Sequence, residues 1–270
     1  MPLFARFEKP LIVAVCVAHD ARTTRESVLE SIAAGADVVE VNLAQLSDAE
    51  IARVNLRPDF PYYVVCRRRK FMSVYGLDWT ALPDRNDEAR MMLLSSMIDR
   101  GARALDMECD TFASDRGIVP DTLPAEMQEL SVSETAVRLQ MDVMNSCRQR
   151  NAEVILSCHS GTALTTNHVL SLARLMADRG ADVIKIVNRH NDSAYCSEAL
   201  NAILKLRESI STPFLVTSVG PLSSVLRMAG CYVGNAYVFC RAEGRSFAYP
   251  DHPAIRRVRE LWRLFPPTNN

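Results

Sequence analysis

Ala181-Asp182-Val183-Ile184-Lys185-Ile186-Val187 is a β-branched apolar run with one lysine in its middle. A short continuous run of this kind predicts a strand covered on both faces, as in a parallel sheet. Just upstream, Val169, Leu170, Leu172, Ala173 and Met176 fall at helical spacing over residues 166–178, and Gly180 follows as a C-cap. The order helix, glycine, strand recurs. Ala33-Ala34-Gly35-Ala36-Asp37-Val38-Val39-Glu40 echoes Asp178-Arg179-Gly180-Ala181-Asp182-Val183-Ile184-Lys185, and Arg100-Gly101-Ala102-Arg103-Ala104-Leu105-Asp106 is a looser copy.

Outward from this unit the same alternation continues. Strands are predicted at 11–17, 38–42, 61–66, 104–108, 154–159, 213–218 and 235–239. Helices are predicted at 23–34 (capped by Thr23 or Thr24), 47–54, 86–100, 193–210, 221–229 and 253–264, with another starting at Ser133. Residues 110–132 carry Gly117, Pro120 and Pro124 and read as an irregular connection. Eight strand–helix units with short connections favour an α/β fold of the (β/α)8 TIM-barrel type, in one domain over 1–270, rather than an open doubly wound sheet. No glycine-rich phosphate fingerprint follows any strand, which argues against nucleotide binding.

The chain has 270 residues, 48% of them hydrophobic, enough for a large core. Its formal net charge of -1 argues against a general nucleic-acid or membrane surface. No apolar run is long enough for a membrane span, and Arg6, Glu8 and Lys9 interrupt the place of a signal peptide's apolar core. The expectation is a cytoplasmic protein. Its eight cysteines form no C-x-x-C pair and read as small core residues, not as a disulfide or zinc framework.

In a barrel of this type, chemistry gathers at the C-terminal ends of the strands. The polar residues there are Glu40, Asn42, Arg67, Asp106, Glu108, His159, Lys185 and Ser218, with Arg227 further on. Burying an ammonium ion is costly and pushes its pKa down, which is tolerable where a neutral amine must attack a carbonyl. The alternative for Lys185 is a head group that escapes to solvent or pairs with a carboxylate. His159, on the preceding strand, is a proton carrier or a satisfied polar residue. Arg67 and Arg227 suit a carboxylate or phosphate, and Asp106 and Glu108 are acid–base groups or arginine partners.

With its residues in this order, the chain resembles type I 3-dehydroquinate dehydratases over nearly its whole length. The resemblance rests on His159 in VILSCHSGT, Lys185 in ADVIKI, Arg227 in TSVGPLSSVLRMAG, Glu40 in ADVVEVN, Arg67 in VVCRRR, and Ser246 at the spacing of the family's active-site serine. It implies a hydro-lyase of the shikimate pathway of aromatic amino acid biosynthesis. Lys185 would form a Schiff base with the C3 ketone. His159 would remove a C2 proton and return one to the departing C1 hydroxyl, and Arg227 would bind the ring carboxylate. The implied partner is a small carboxylated ketone, with no metal or organic cofactor, and the family precedent implies a homodimer.

Three positions depart from the family's pattern. Asn42 stands for an arginine, Phe71 for a glutamate four residues after Arg67, and Pro250 for a glutamine four residues after Ser246. In the family these groups hold substrate hydroxyls and assist the histidine. Leaving a substrate hydroxyl unpaired costs about 1–3 kcal/mol. The chemical core is kept and the recognition shell is changed. Two further readings therefore stay open: another class I lyase or aldolase using the same lysine, or a non-catalytic homologue that binds a shikimate-pathway metabolite.

Overall fold

The structure, a computed structural model, describes residues 3–4, 9–56, 60–68, 80, 82–188, 193–220, 222–243 and 251–267. Among them strands and helices alternate in the order β1 (Leu11–Val17), α1 (Ala21–Ala34), β2 (Val38–Asn42), α2 (Asp48–Arg53), β3 (Tyr62–Val65), α3 (Asp87–Asp99), β4 (Ala104–Glu108) and α4 (Glu134–Gln149). The second half continues with β5 (Glu153–Ser160), α5 (Thr166–Asp178), β6 (Val183–Asn188), α6 (Ser193–Ser209), β7 (Phe214–Ser218), α7 (Ser223–Val233), β8 (Tyr237–Cys240) and α8 (Ile255–Leu264). The sheet order is β7-β6-β5-β4-β3-β2-β1-β8. The registers between β1 and β2, β2 and β3, β3 and β4, β5 and β6, and β6 and β7 are parallel. The fold class is the (β/α)8 TIM barrel. The residues cluster into two units, one of 1–10, 107–238 and 267–270, the other of 11–106 and 239–266.

In the first unit the register sorts side chains by chemistry. Ser157, Lys185 and Leu215 share a row, and His159, Val187 and Thr217 form the next row on the same face. Cys158, Ile186 and Val216 lie on the opposite face, followed by Ser160, Asn188 and Ser218. Ser218 was grouped with Lys185 among the polar residues at the strand ends, but the two-residue period puts it on the other side of the sheet. There the Asn188 amide and the Ser160 hydroxyl both donate to the Thr162 carbonyl, tying the turn after β5. In the second unit Val15, Glu40, Tyr63 and Ala104 form one row, and Val17, Asn42, Val65 and Asp106 form the next.

The sequence echo has a structural meaning. Gly35 and Gly180 take φ of 101° and 90°, a left-handed geometry that glycine adopts without steric cost. Two residues on, Asp37 accepts from the Ile12 amide at 2.8 Å, and Asp182 accepts from the Val154 amide at 2.9 Å. Each aspartate thus joins its own strand to the start of the preceding one. Arg259 of α8 bonds Asp37 and the Gly35 carbonyl, and Arg148 of α4 bonds Asp182 and the Gly180 carbonyl. The two clamps are equivalent, one in each unit.

Element ends shift for local reasons. Asp20, not Thr23 or Thr24, caps α1: its carboxylate accepts the Thr23 amide at 2.7 Å and the Thr23 hydroxyl at 2.9 Å. Those bonds hold the Asp20 carboxyl below its ordinary pKa. Ser133 stands at the N-cap of α4 without a side-chain cap bond. Helix α7 runs to Val233, past the predicted end at 229. Asn235 is absent from β8 because its side chain acts as a strand partner: Oδ1 accepts the Val216 amide at 2.9 Å and Nδ2 donates to the Val216 carbonyl at 3.0 Å. Gly230 makes room for it, since a Cβ there would lie 2.3 Å from Asn235 Nδ2. Asn235→Ala strands two buried backbone groups and is expected to destabilise the fold by about 2–4 kcal/mol, read as a lower urea midpoint. Gly230→Ala is expected to do the same by steric clash.

Candidate functional site

Lys185 sits in the middle of β6 and is 5% exposed. Val183 and Val187 flank it on its own face, and Ser157 and Leu215 stand beside it on the neighbouring strands. The Cys109 amide donates to the Ser157 carbonyl at 2.8 Å, which sets Glu108 next to Ser157 in the row of Lys185. Glu108 is buried and accepts a long bond from the Thr111 hydroxyl at 3.5 Å. Amine and carboxylate therefore share one face and one level of the sheet.

His159 lies on that face one row nearer the strand ends, half-buried at the end of β5. Its Nδ1 is 2.8 Å from Glu129 Oε2, and its backbone amide donates to the same oxygen at 3.2 Å. The Glu129 side chain is fully buried. Sequence reading missed this residue, because it belongs to the irregular segment 110–132, where no periodicity says which way a side chain points. The one available signal was an acidic residue inside an unusually long connection.

Arg227 sits in the second turn of α7, which follows β7, and is buried. Its Nη2 donates to the Ser218 carbonyl at 3.2 Å, bringing the guanidinium to the C-terminal end of β7. Sequence position alone left open whether it lies on the outer face of the helix.

The candidate residues of the second unit are also buried. The Tyr63 hydroxyl donates to Glu40 Oε2 at 2.6 Å. Asn42 Oδ1 accepts the Ala44 amide at 3.0 Å, so part of this side chain shapes the turn after β2. Arg67 is buried just past β3. Arg68 turns away to a bidentate pair with Asp87 at 3.0 and 2.7 Å, and Arg90 joins Asp87 to the Cys66 carbonyl. Ser246, Phe71 and Pro250 lie outside the described residues. Among the described residues no group of three or more His, Cys, Asp or Glu is arranged to hold a metal ion, and no helix is long and apolar enough to cross a membrane.

Residues 13–266 match the family described as type I 3-dehydroquinase. The chain belongs to that family. A 3-dehydroquinate dehydratase of Desulfotalea psychrophila is 22% identical over 256 residues, covering 93% of this chain and 98% of the relative. Among solved structures, type I 3-dehydroquinate dehydratase of Clostridium difficile, holding covalently modified comenic acid, aligns with a TM-score of 0.75 at 15% identity, covering 96% of this chain and 92% of that one. The 3-dehydroquinate dehydratase of Geobacillus kaustophilus aligns at 0.72 with 16% identity over 96% and 93% of the two chains. These likenesses carry the barrel fold.

Behind the histidine strand, Glu198 of α6 holds the start of α5. The Thr166 hydroxyl and amide both donate to its carboxylate, and these bonds keep its pKa below the ordinary value. A depressed carboxyl stabilises the fold above its unfolded pKa, near 4.3, and loses that contribution as pH falls through its folded value. Glu198→Gln is expected to lower the urea midpoint at pH 7, with the difference from the parent shrinking below about pH 4.

Proposed function

We propose that this chain dehydrates 3-dehydroquinate to 3-dehydroshikimate through a Schiff base on Lys185. The observation that carries the reading is the buried Lys185 one row below His159 on the same face of adjacent strands. The family supports the substrate, and the covalently modified comenic acid in the Clostridium difficile relative supports a covalent route.

The neutral Lys185 amine adds to the C3 ketone, and loss of water from the carbinolamine leaves a protonated imine. His159 takes a C2 proton, and the C–H electron pair moves toward the iminium nitrogen to form an enamine. The pair returns to expel the C1 hydroxyl, which leaves as water with the proton carried by His159. Hydrolysis of the conjugated iminium frees 3-dehydroshikimate and the amine. The iminium is the electron sink throughout.

The buried Arg227 anchors the ring carboxylate in this reading. The resemblance assigns Arg67, Glu40, Asn42 and Ser246 to substrate binding. The cytoplasmic homodimer implied by the family belongs to the same proposal.

The test is an absorbance assay for the enone product with 3-dehydroquinate as substrate. Turnover is expected, abolished in Lys185→Ala and lowered about 10²–10⁴-fold in kcat in His159→Ala. Arg227→Ala is expected to raise KM at least tenfold, read from the same progress curves. Binding of 3-dehydroquinate without turnover would contradict the proposal and favour the non-catalytic homologue. Turnover of a differently decorated ketone alone would favour another lyase on the same lysine.

A further inference from the structure

We infer that Glu129 is a positioning residue that fixes the tautomer of His159 and raises its basicity, and that the connection between β4 and α4 is built to deliver it. This deepens the dehydratase reading, on which its use in catalysis rests. The first support is geometric. One buried carboxylate oxygen meets both the backbone amide and Nδ1 of His159, at 3.2 and 2.8 Å. An ionised carboxylate accepts and does not donate, so Nδ1 carries the proton and the lone pair lies on Nε2. The second support is backbone geometry. Glu129 holds φ at 52°, a left-handed conformation that costs a glutamate energy and persists where its surroundings impose it.

Those surroundings are a clamp at both ends of the segment. Arg179, following α5, is buried and donates to the Cys109 carbonyl at 3.2 Å and the Ser131 carbonyl at 2.5 Å. It also donates to Gln140 Oε1 at 2.9 Å, and Gln140 Nε2 donates to the Cys109 and Thr111 carbonyls. The Ser131 amide closes the neck onto the Cys109 carbonyl at 3.3 Å. Gly117 lies against the far side of the neck, where a Cβ would meet the Ser133 nitrogen at 2.7 Å. Leu123, Met127 and Leu130 are buried on either side of Glu129. A long connection with its neck tied and its apolar residues inside holds one side chain in one place.

Among the described residues, the charged groups placed on the side of His159 are Glu129 from the connection, Lys185 from β6 one row below, and Glu108 at the end of β4. Cys158 points to the opposite face, its thiol kept protonated by burial. Glu129 is in direct contact with Nδ1, and a negative charge there favours the protonated imidazole.

The test is nitrogen-detected NMR of His159 together with steady-state kinetics. In the parent protein the neutral imidazole should carry its proton on Nδ1. In Glu129→Gln the His159 pKa should fall by about one unit. The rising limb of kcat against pH should shift with it, and kcat should drop roughly tenfold to a hundredfold while KM stays within about twofold. Glu129→Asp should recover part of each effect. A proton on Nε2 in the parent, or a His159 titration unchanged in Glu129→Gln, overturns the inference. The NMR readouts need no substrate. A His159 titration that depends on Glu129 in a protein without 3-dehydroquinate turnover therefore supports the positioning role and refutes the dehydratase reading alone.

Discussion

The parallel register between β5 and β6 is the constraint on which the site depends. Ser157 pairs with Lys185 and His159 with Val187, so a lysine and a histidine on different strands are fixed on one face at adjacent levels. A slip of one residue would turn both to the opposite face. The register is held from outside the site: Asp182 bonds the Val154 amide at the start of the pairing, and Asn188 and Ser160 share the Thr162 carbonyl at its end. The cost of burying an amine is thus borne by a strand pair locked at both ends.

Much of this was legible in sequence. The runs at 11–17, 38–42 and 104–108 became strands with those bounds, and Leu11–Val17 shows the reason most plainly, because a strand buried on both faces writes its hydrophobicity without gaps. Lys185, His159 and Glu40 stood out as polar groups inside such runs. Ser218 did not belong with them, since the two-residue period is invisible where both faces are filled. Asn235 looked like strand and proved to be a side chain standing in for one.

Glu129 shows the deeper limit. The family pattern places a carboxylate four residues after Arg67, where this chain has Phe71. The carboxylate that meets His159 comes instead from 110–132, a segment whose conformation is set by Arg179 and Gln140, remote in sequence. Tertiary hydrogen bonds of this kind leave no local signature. By contrast, the Gly-x-Asp echo was visible because its two clamps, Arg148 with Asp182 and Arg259 with Asp37, solve the same backbone problem in each unit.

The central claim is that Lys185 is a nucleophile toward a ring ketone. Its most direct test is borohydride reduction of the protein in the presence of 3-dehydroquinate, followed by mass spectrometry of the intact chain and its peptides. The account predicts one stable adduct, located on Lys185. An unmodified Lys185 peptide under conditions where 3-dehydroquinate binds would contradict it.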